Sequence, residues 1–170
     1  MKRTSKAFTL IELLIVISIL AITLTLTSDI LISLVRSNNK TRVKNELEQQ
    51  SNFVALKIEK ELRNAGNVDS STGDSQLKFT LEDSTEITYF LAGNVLNRTV
   101  GGATNPVTSA HEPGGVFVSC SGDCFVLHGE SPQRVDISLI FTPASSEGPL
   151  GTSFSGQVEV NTTVVLRNTY

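Results

Sequence analysis

At 170 residues and a formal charge of −3, the chain has room for one domain and an anchor rather than two full domains. Apolar residues make up 39% of it and are concentrated before residue 36. The remaining residues can build only a small core, so the expectation is a single sheet packed on a helix. No basic patch is large enough to suggest nucleic-acid binding on charge alone.

The first seven residues carry Lys2, Arg3 and Lys6 and no acid. Setting these three aside leaves 11 basic against 17 acidic residues, a charge of −6. The apolar run Phe8–Ile22 comes at once, interrupted by Glu12. An ordinary secretory signal would carry a small-x-small cleavage site, but the run continues Thr23-Leu-Thr-Leu-Thr-Ser-Asp29. An uncleaved signal anchor fits better, and the basic leader would place its N-terminus in the cytoplasm. The sixteen uncharged residues from Leu13 to Ser28, with Phe8–Ile11, are long enough to cross a hydrocarbon core of about 30 Å. An acid in such a helix costs about 2.5–3.5 kcal/mol, so Glu12 calls for a partner charge. An α-amino group freed by a cut just before Phe8 would serve. The plainer alternative is an acid snorkelling to the cytoplasmic interface.

Helical spacing continues beyond the apolar run. Ile30, Leu31, Leu34 and Val35 keep it, Ser37-Asn38-Asn39 is a weak breaker that could bend the helix, and Leu47, Val54, Ile58, Leu62 and Ala65 then share one face. Lys44, Glu48, Lys57 and Glu61 fill other faces. Gly66-Asn67 gives a C-terminal stop, with Arg63 in the last turn favouring the helix dipole. One helix from Phe8 to Ala65 would be roughly 87 Å long.

After Gly66 the period changes to alternation. Asp69–Ser75 reads as a polar loop. Leu77, Phe79 and Leu81 alternate, as do Ile87, Tyr89 and Leu91, with Glu82–Thr85 as the turn between them. Val95–Val100 is a third strand, and the glycine- and proline-rich stretch Gly101–Gly115 is a loop. Short strands Val116–Ser119 and Phe125–Leu127 flank Cys120-Ser-Gly-Asp-Cys124. Val135–Phe141 and Val158–Leu166 alternate cleanly. Connections this short favour an antiparallel sheet.

The segment Lys6-Ala7-Phe8-Thr9-Leu10-Ile11-Glu12-Leu13-Leu14 resembles the class III leader and N-terminal motif of type IV pilins and type II secretion pseudopilins. The resemblance implies that a membrane prepilin peptidase cuts between Ala7 and Phe8 and N-methylates Phe8. Ala7 stands where the family usually has glycine and is similarly small. The likeness implies that Glu12 pairs with the Phe8 amine of a neighbouring subunit and sets axial register between helices. Ile58–Gly66 and Val164–Asn168 are similar to stretches of PilW-like and J-type minor subunits. The helix proline common in major pilins would fall near Asp29 and is absent. The implied fold is α+β and pilin-like: a long N-terminal helix, transmembrane in its first half and amphipathic in its second, packed on a C-terminal antiparallel sheet. The implied divisions are a leader at 1–7, a transmembrane helix at 8–35, an amphipathic helix at 36–66 and a β head at 67–170.

Three states fit Cys120 and Cys124. A head outside the cytoplasm permits a disulfide, and the Ser-Gly-Asp spacer can bring the two Cα atoms to bridging distance. Adding His128 gives Cys-x3-Cys-x3-His, a weak metal-ligand pattern. Two free thiols are the third. Neither His111 nor His128 lies in a catalytic pattern. The function expected is therefore structural, with no catalytic residues and no cofactor. It is that of a minor pilin or pseudopilin in a pilus, a type II secretion pseudopilus or a DNA-uptake filament, at its tip or in initiation. Its partners would be prepilin peptidase, other pilins, the inner-membrane assembly platform and lipid, without direct nucleic-acid binding. It would cross the bacterial inner membrane once, with the head outside. The alternatives are a major pilus subunit and an uncleaved, membrane-anchored periplasmic binding or enzyme domain.

Overall fold

The computed structural model describes residues 9–69, 72, 75–111, 115–129, 132–144, 147–148, 152–153 and 156–167. Among these residues one helix, α1 (Leu10–Arg63), precedes eleven strands, and every strand pairing is antiparallel. The architecture is α+β in a pilin-like order, a long apolar helix first and antiparallel sheets after it. The chain divides into two compact units, Met1–Lys40 and Thr41–Tyr170.

In the first unit, the seventeen large aliphatic side chains from Leu10 to Val35 are all exposed, from 44% at Ile32 to 80% at Leu10. Helix forms here because the stretch is rich in leucine and holds no glycine or proline. The hydroxyls of Ser18, Thr23, Thr25, Thr27 and Ser28 turn back to carbonyls three or four residues earlier, so none is left unpaired in an apolar setting. The weak breaker at Ser37-Asn38-Asn39 does not interrupt the helix, since α1 runs through it. Each of these residues costs only a few tenths of a kcal/mol in a helix, too little to break one that continues on both sides.

In the second unit, α1 buries Leu47, Ser51, Val54, Ile58 and Leu62, at steps of four, three, four and four. The helix ends earlier than its periodicity suggests. Asn64 turns the chain, and Ala65, expected on the helix face, is buried instead in strand β1 (Ala65–Val68). Strands β2 (Gln76–Leu81), β3 (Glu86–Ala92), β4 (Val95–Val100) and β5 (Ala103–Pro106) complete a five-stranded meander in the order β1-β2-β3-β4-β5. The expected loop at Gly101–Gly115 thus contains a strand, β5. Two-residue turns explain it: Gly93-Asn94 and Gly101-Gly102 have positive φ at both positions, the geometry that closes a tight hairpin.

A second sheet replaces the expected single one. Its order is β11 (Val158–Val165), β8 (Arg134–Pro143), β6 (Val116–Ser119), with β7 (Phe125–His128) pairing the other end of β8. A two-stranded pair, β9 (Glu147–Gly148) and β10 (Thr152–Ser153), lies between β8 and β11 in sequence. The Val118 amide donates to the Asn94 carbonyl (2.8 Å) and joins the second sheet to the β3–β4 turn. One apolar cluster gathers the helix stripe with Phe79, Tyr89 and Leu96 of the first sheet and Phe125, Ile137, Leu139 and Phe141 of the second. Alternation places these residues inward and Asp136, Ser138, Asn161 and Thr163 outward.

Candidate functional site: the N-terminal helix and the head surfaces

Helix α1 begins at Leu10, immediately after Thr9. The Glu12 amide donates to the Thr9 Oγ1 (3.3 Å) and to the Thr9 carbonyl (3.1 Å). Thr9 is therefore an N-cap and Glu12 the third residue of the first turn, in the sequence pattern Thr-x-x-Glu of a capping box. A carboxylate there also meets the positive end of the helix dipole. This local role escaped the reading of Glu12 from the sequence, although Thr9-Leu-Ile-Glu12 carries the signature. Ala7 and Phe8, the expected cleavage and methylation residues, lie outside the described residues. The structure places Glu12 at the helix start, exposed, and its partner charge is not among the described residues.

The second unit has its own polar device. Glu61 Oε1 lies 3.0 Å from Arg98 Nη2, and Glu61 Oε2 accepts from Arg98 Nε (3.0 Å) and from the Tyr89 hydroxyl (2.7 Å). Lys57 Nζ is 4.0 Å from Glu61 Oε1. A bidentate pair with a third donor is strong and directional. It ties the last turns of α1 to β3 and β4. Burial pushes the Tyr89 phenol far above its usual range, and the bond to Glu61 and its charge push it further. Burial alone would lower the Arg98 guanidinium, but the hydrogen bond and charge of Glu61 outweigh it and raise it. The sequence gives Glu61 only as a polar-face residue, because its partners lie 28 and 37 residues away.

Cys120 and Cys124 are joined by a disulfide, with Cα atoms 5.3 Å apart. The Ser138 amide donates to the Cys124 carbonyl (2.9 Å), which fastens the loop to β8. His128 does not join the cysteines: its Nε2 lies 2.8 Å from Asp136 Oδ2. The Cys-x3-Cys-x3-His ligand set is not assembled, because both sulfurs are spent on each other and the imidazole is held by a carboxylate. No cluster of three or more His, Cys, Asp or Glu suited to a metal occurs among the described residues. His111 is exposed at the end of a described segment.

The outer face of the second sheet brings together residues that the sequence keeps apart. Asp136 accepts from His128 on β7 and from the Thr163 hydroxyl on β11 (2.6 Å). The Thr163 bond holds the Asp136 carboxyl below its ordinary value against the opposing effect of burial, with His128 contributing further. The carboxylate stands between imidazole and hydroxyl. In a nucleophilic triad the imidazole must touch the hydroxyl, so this order strengthens a cross-strand contact and cannot activate Thr163. A cavity of about 270 Å³ adjoins it, lined by Asp123, Val126, Asp136, Ser138, Asn161 and Thr163 among others.

Two helix residues point away from the core. Phe53 and Leu56 are 56% and 65% exposed, and Lys57 Nζ lies 5.9 Å from the centre of the Phe53 ring. Phe53 and Leu56 lie three residues apart, one turn of the helix.

Comparison with protein families matches residues 2–28 to the prokaryotic N-terminal methylation motif. The match covers the basic leader, Glu12 and most of the exposed apolar stretch of α1. It supports a type IV pilin-like precursor, processed by a prepilin peptidase and assembled with other pilins, with its long apolar helix fitting a single membrane anchor. Comparison with curated proteins and with solved structures finds no significant match.

Proposed function

We propose that the chain is a minor pilin or pseudopilin, a structural subunit rather than an enzyme. It is inserted in the bacterial inner membrane, cut between Ala7 and Phe8, methylated on Phe8, and packed through α1 into a pilus, secretion pseudopilus or DNA-uptake filament. The observation that carries this reading is the methylation motif at residues 2–28 running into a helical stretch, Leu10 to Val35, whose large aliphatic side chains are all exposed. In lipid or among neighbouring helices those side chains are satisfied; in water they are not. The exposed Phe53 and Leu56 suit lateral packing against another subunit. The PilW-like and J-type likenesses favour a place at the tip or in initiation. Partners on this reading are prepilin peptidase, other pilins, the assembly platform and lipid.

Intact mass of the membrane-extracted protein tests the processing. Loss of seven residues and one added methyl group are expected, and a persistent Met1 in cells with active peptidase would overturn the proposal. Assembly is tested separately, because Glu12 also sits in the first turn of its helix, capped by Thr9. Glu12→Gln keeps the Thr-x-x-Gln pattern compatible with a capping box and removes the charge. Thr9→Ala removes the cap and keeps the charge. Incorporation into sheared filaments, normalised to membrane content, should fall sharply for Glu12→Gln and Glu12→Ala and little for Thr9→Ala. Parental incorporation of both Glu12 variants would show that helix packing alone sets the register.

A further inference from the structure

Beyond Val35, α1 changes character within one turn. Arg36, Lys40, Arg42 and Lys44 fall in nine residues, and no acid occurs between Asp29 and Glu46. All four are exposed. Arg36 and Lys40 come at a step of four on one helix face, and Arg42 and Lys44 follow within four residues in sequence. Lys44 lies 3.5 Å from Glu48, both well exposed. Arg36, Lys40 and Arg42 make no ion pair among the described residues. The contrast is with Lys57, Arg63, Lys78 and Arg98, each of which has a carboxylate within 4.0 Å.

Three basic residues precede the apolar stretch and four come after it. Under the positive-inside rule the later four oppose the orientation that the leader sets. Orienting the helix therefore does not explain them. We propose that Arg36, Lys40, Arg42 and Lys44 form a collar that binds anionic phospholipid headgroups and fixes the depth of α1 in the bilayer. The proposal rests on the membrane-anchored reading of α1.

Position favours lipid over other anionic partners. The collar starts one residue after the last exposed apolar side chain of the stretch. At 1.5 Å per residue, Arg36 and Lys40 span about 6 Å, comparable to one headgroup layer. Arg42 and Lys44 come next in sequence, on aliphatic stems long enough to snorkel to a headgroup. Basic residues next to a membrane span are attracted to anionic lipid, each strengthening the contact about fivefold. Removal of the leader would leave these as the basic residues flanking the span. The collar then resists withdrawal of the helix into the bilayer and must let go when the subunit leaves it.

The full chain contains no tryptophan, so a single one introduced reports its own surroundings. Asn38→Trp places the probe in the collar and Leu20→Trp places it within the apolar stretch. Each variant is reconstituted in phosphatidylcholine vesicles holding equal fractions of brominated phosphatidylcholine or brominated phosphatidylglycerol. Both lipids should quench the Leu20→Trp probe equally. The anionic lipid should quench the Asn38→Trp probe several-fold more strongly, and combining Arg36→Gln, Lys40→Gln and Arg42→Gln or adding high salt should erase the preference. No quenching at Leu20→Trp by either lipid would overturn the anchored reading and the collar with it. Quenching there with no preference at Asn38→Trp would overturn the collar alone. If charge-dependent self-association accompanied that absence of preference, the basic residues would belong to a contact with a second copy.

Discussion

Two stretches of α1 share one backbone and opposite burial. Between Leu10 and Val35 every large aliphatic side chain is exposed; between Leu47 and Leu62 five positions form a buried stripe. Both are helical, so helix formation does not decide where an apolar side chain ends. The second stretch alternates its apolar stripe with charge and finds its partners within its own unit. The first is apolar all round and requires partners of another kind, lipid or neighbouring helices. The same substitution in each stretch separates them. Ile58 is 0% exposed, so Ile58→Asp should cost several kcal/mol and abolish the cooperative melting of the full chain in detergent. Ile19→Asp should leave that melting unchanged and reduce membrane insertion by about 2.5–3.5 kcal/mol. Equal melting of the two variants would break the comparison.

The stripe alone does not fix the helix on its sheet, because apolar burial is non-directional. Glu61 supplies the direction by gripping Arg98 and Tyr89 at once. Glu61→Ala should lower stability by about 2–3 kcal/mol in urea melts, since it leaves a half-buried guanidinium and a buried phenol without their acceptor. Glu61→Gln should be milder, as it still accepts from one donor. A Glu61→Ala chain as stable as the parent would mean that the stripe suffices.

How much of this was legible in the sequence depended on the range of the interactions. The helix face Leu47, Val54, Ile58 and Leu62 is written in a period of 3.6, and strands β2, β3, β4, β8 and β11 in a period of two. Ser51 was missed on that face because its hydroxyl bonds the Glu48 carbonyl and so can be buried. Strand β5 was missed because its four residues are all exposed and carry no alternation; only the Gly101-Gly102 turn announces it. The division into two sheets was not legible, since it depends on which strands β8 recruits. The Glu61 and Asp136 contacts were out of reach for the same reason, being made across 28, 37 and 27 residues. The Thr9 N-cap was within reach, being entirely local.

The disulfide offers a smaller contrast, between a covalent and a packed constraint. It closes a loop with a sequence separation of only 4. So short a loop restricts the unfolded chain little, and Cys120→Ser should cost about 2 kcal/mol. The loop is also held through Ser138, so the strands beside it should keep their amide-exchange protection in the reduced protein. Loss of protection along β7 and β8 on reduction would show that the disulfide, rather than the ladder, positions this edge.

The least effect is expected on the outer face of the second sheet, where Asp136 links three strands but remains partly in water. Its side chain is 42% exposed, so solvent screens its charge, and Asp136→Asn should cost under about 1 kcal/mol at neutral pH. The pH dependence has a definite sign. The folded carboxyl is held below the ordinary value of 3.8, chiefly by Thr163. The folded state therefore favours the ionised form, and its contribution is complete above about pH 4 to 5 and lost as pH falls through the folded value. Urea melts of parent and Asp136→Asn at pH 6 and pH 3 should differ at the first and converge towards each other at the second. Because Glu61 and Ile58 act in both variants alike, their effects cancel in this difference. A gap that stayed undiminished at pH 3 would assign the role of Asp136 to its shape and hydrogen bonds, and would leave the outer face without an electrostatic part in holding β7, β8 and β11 together.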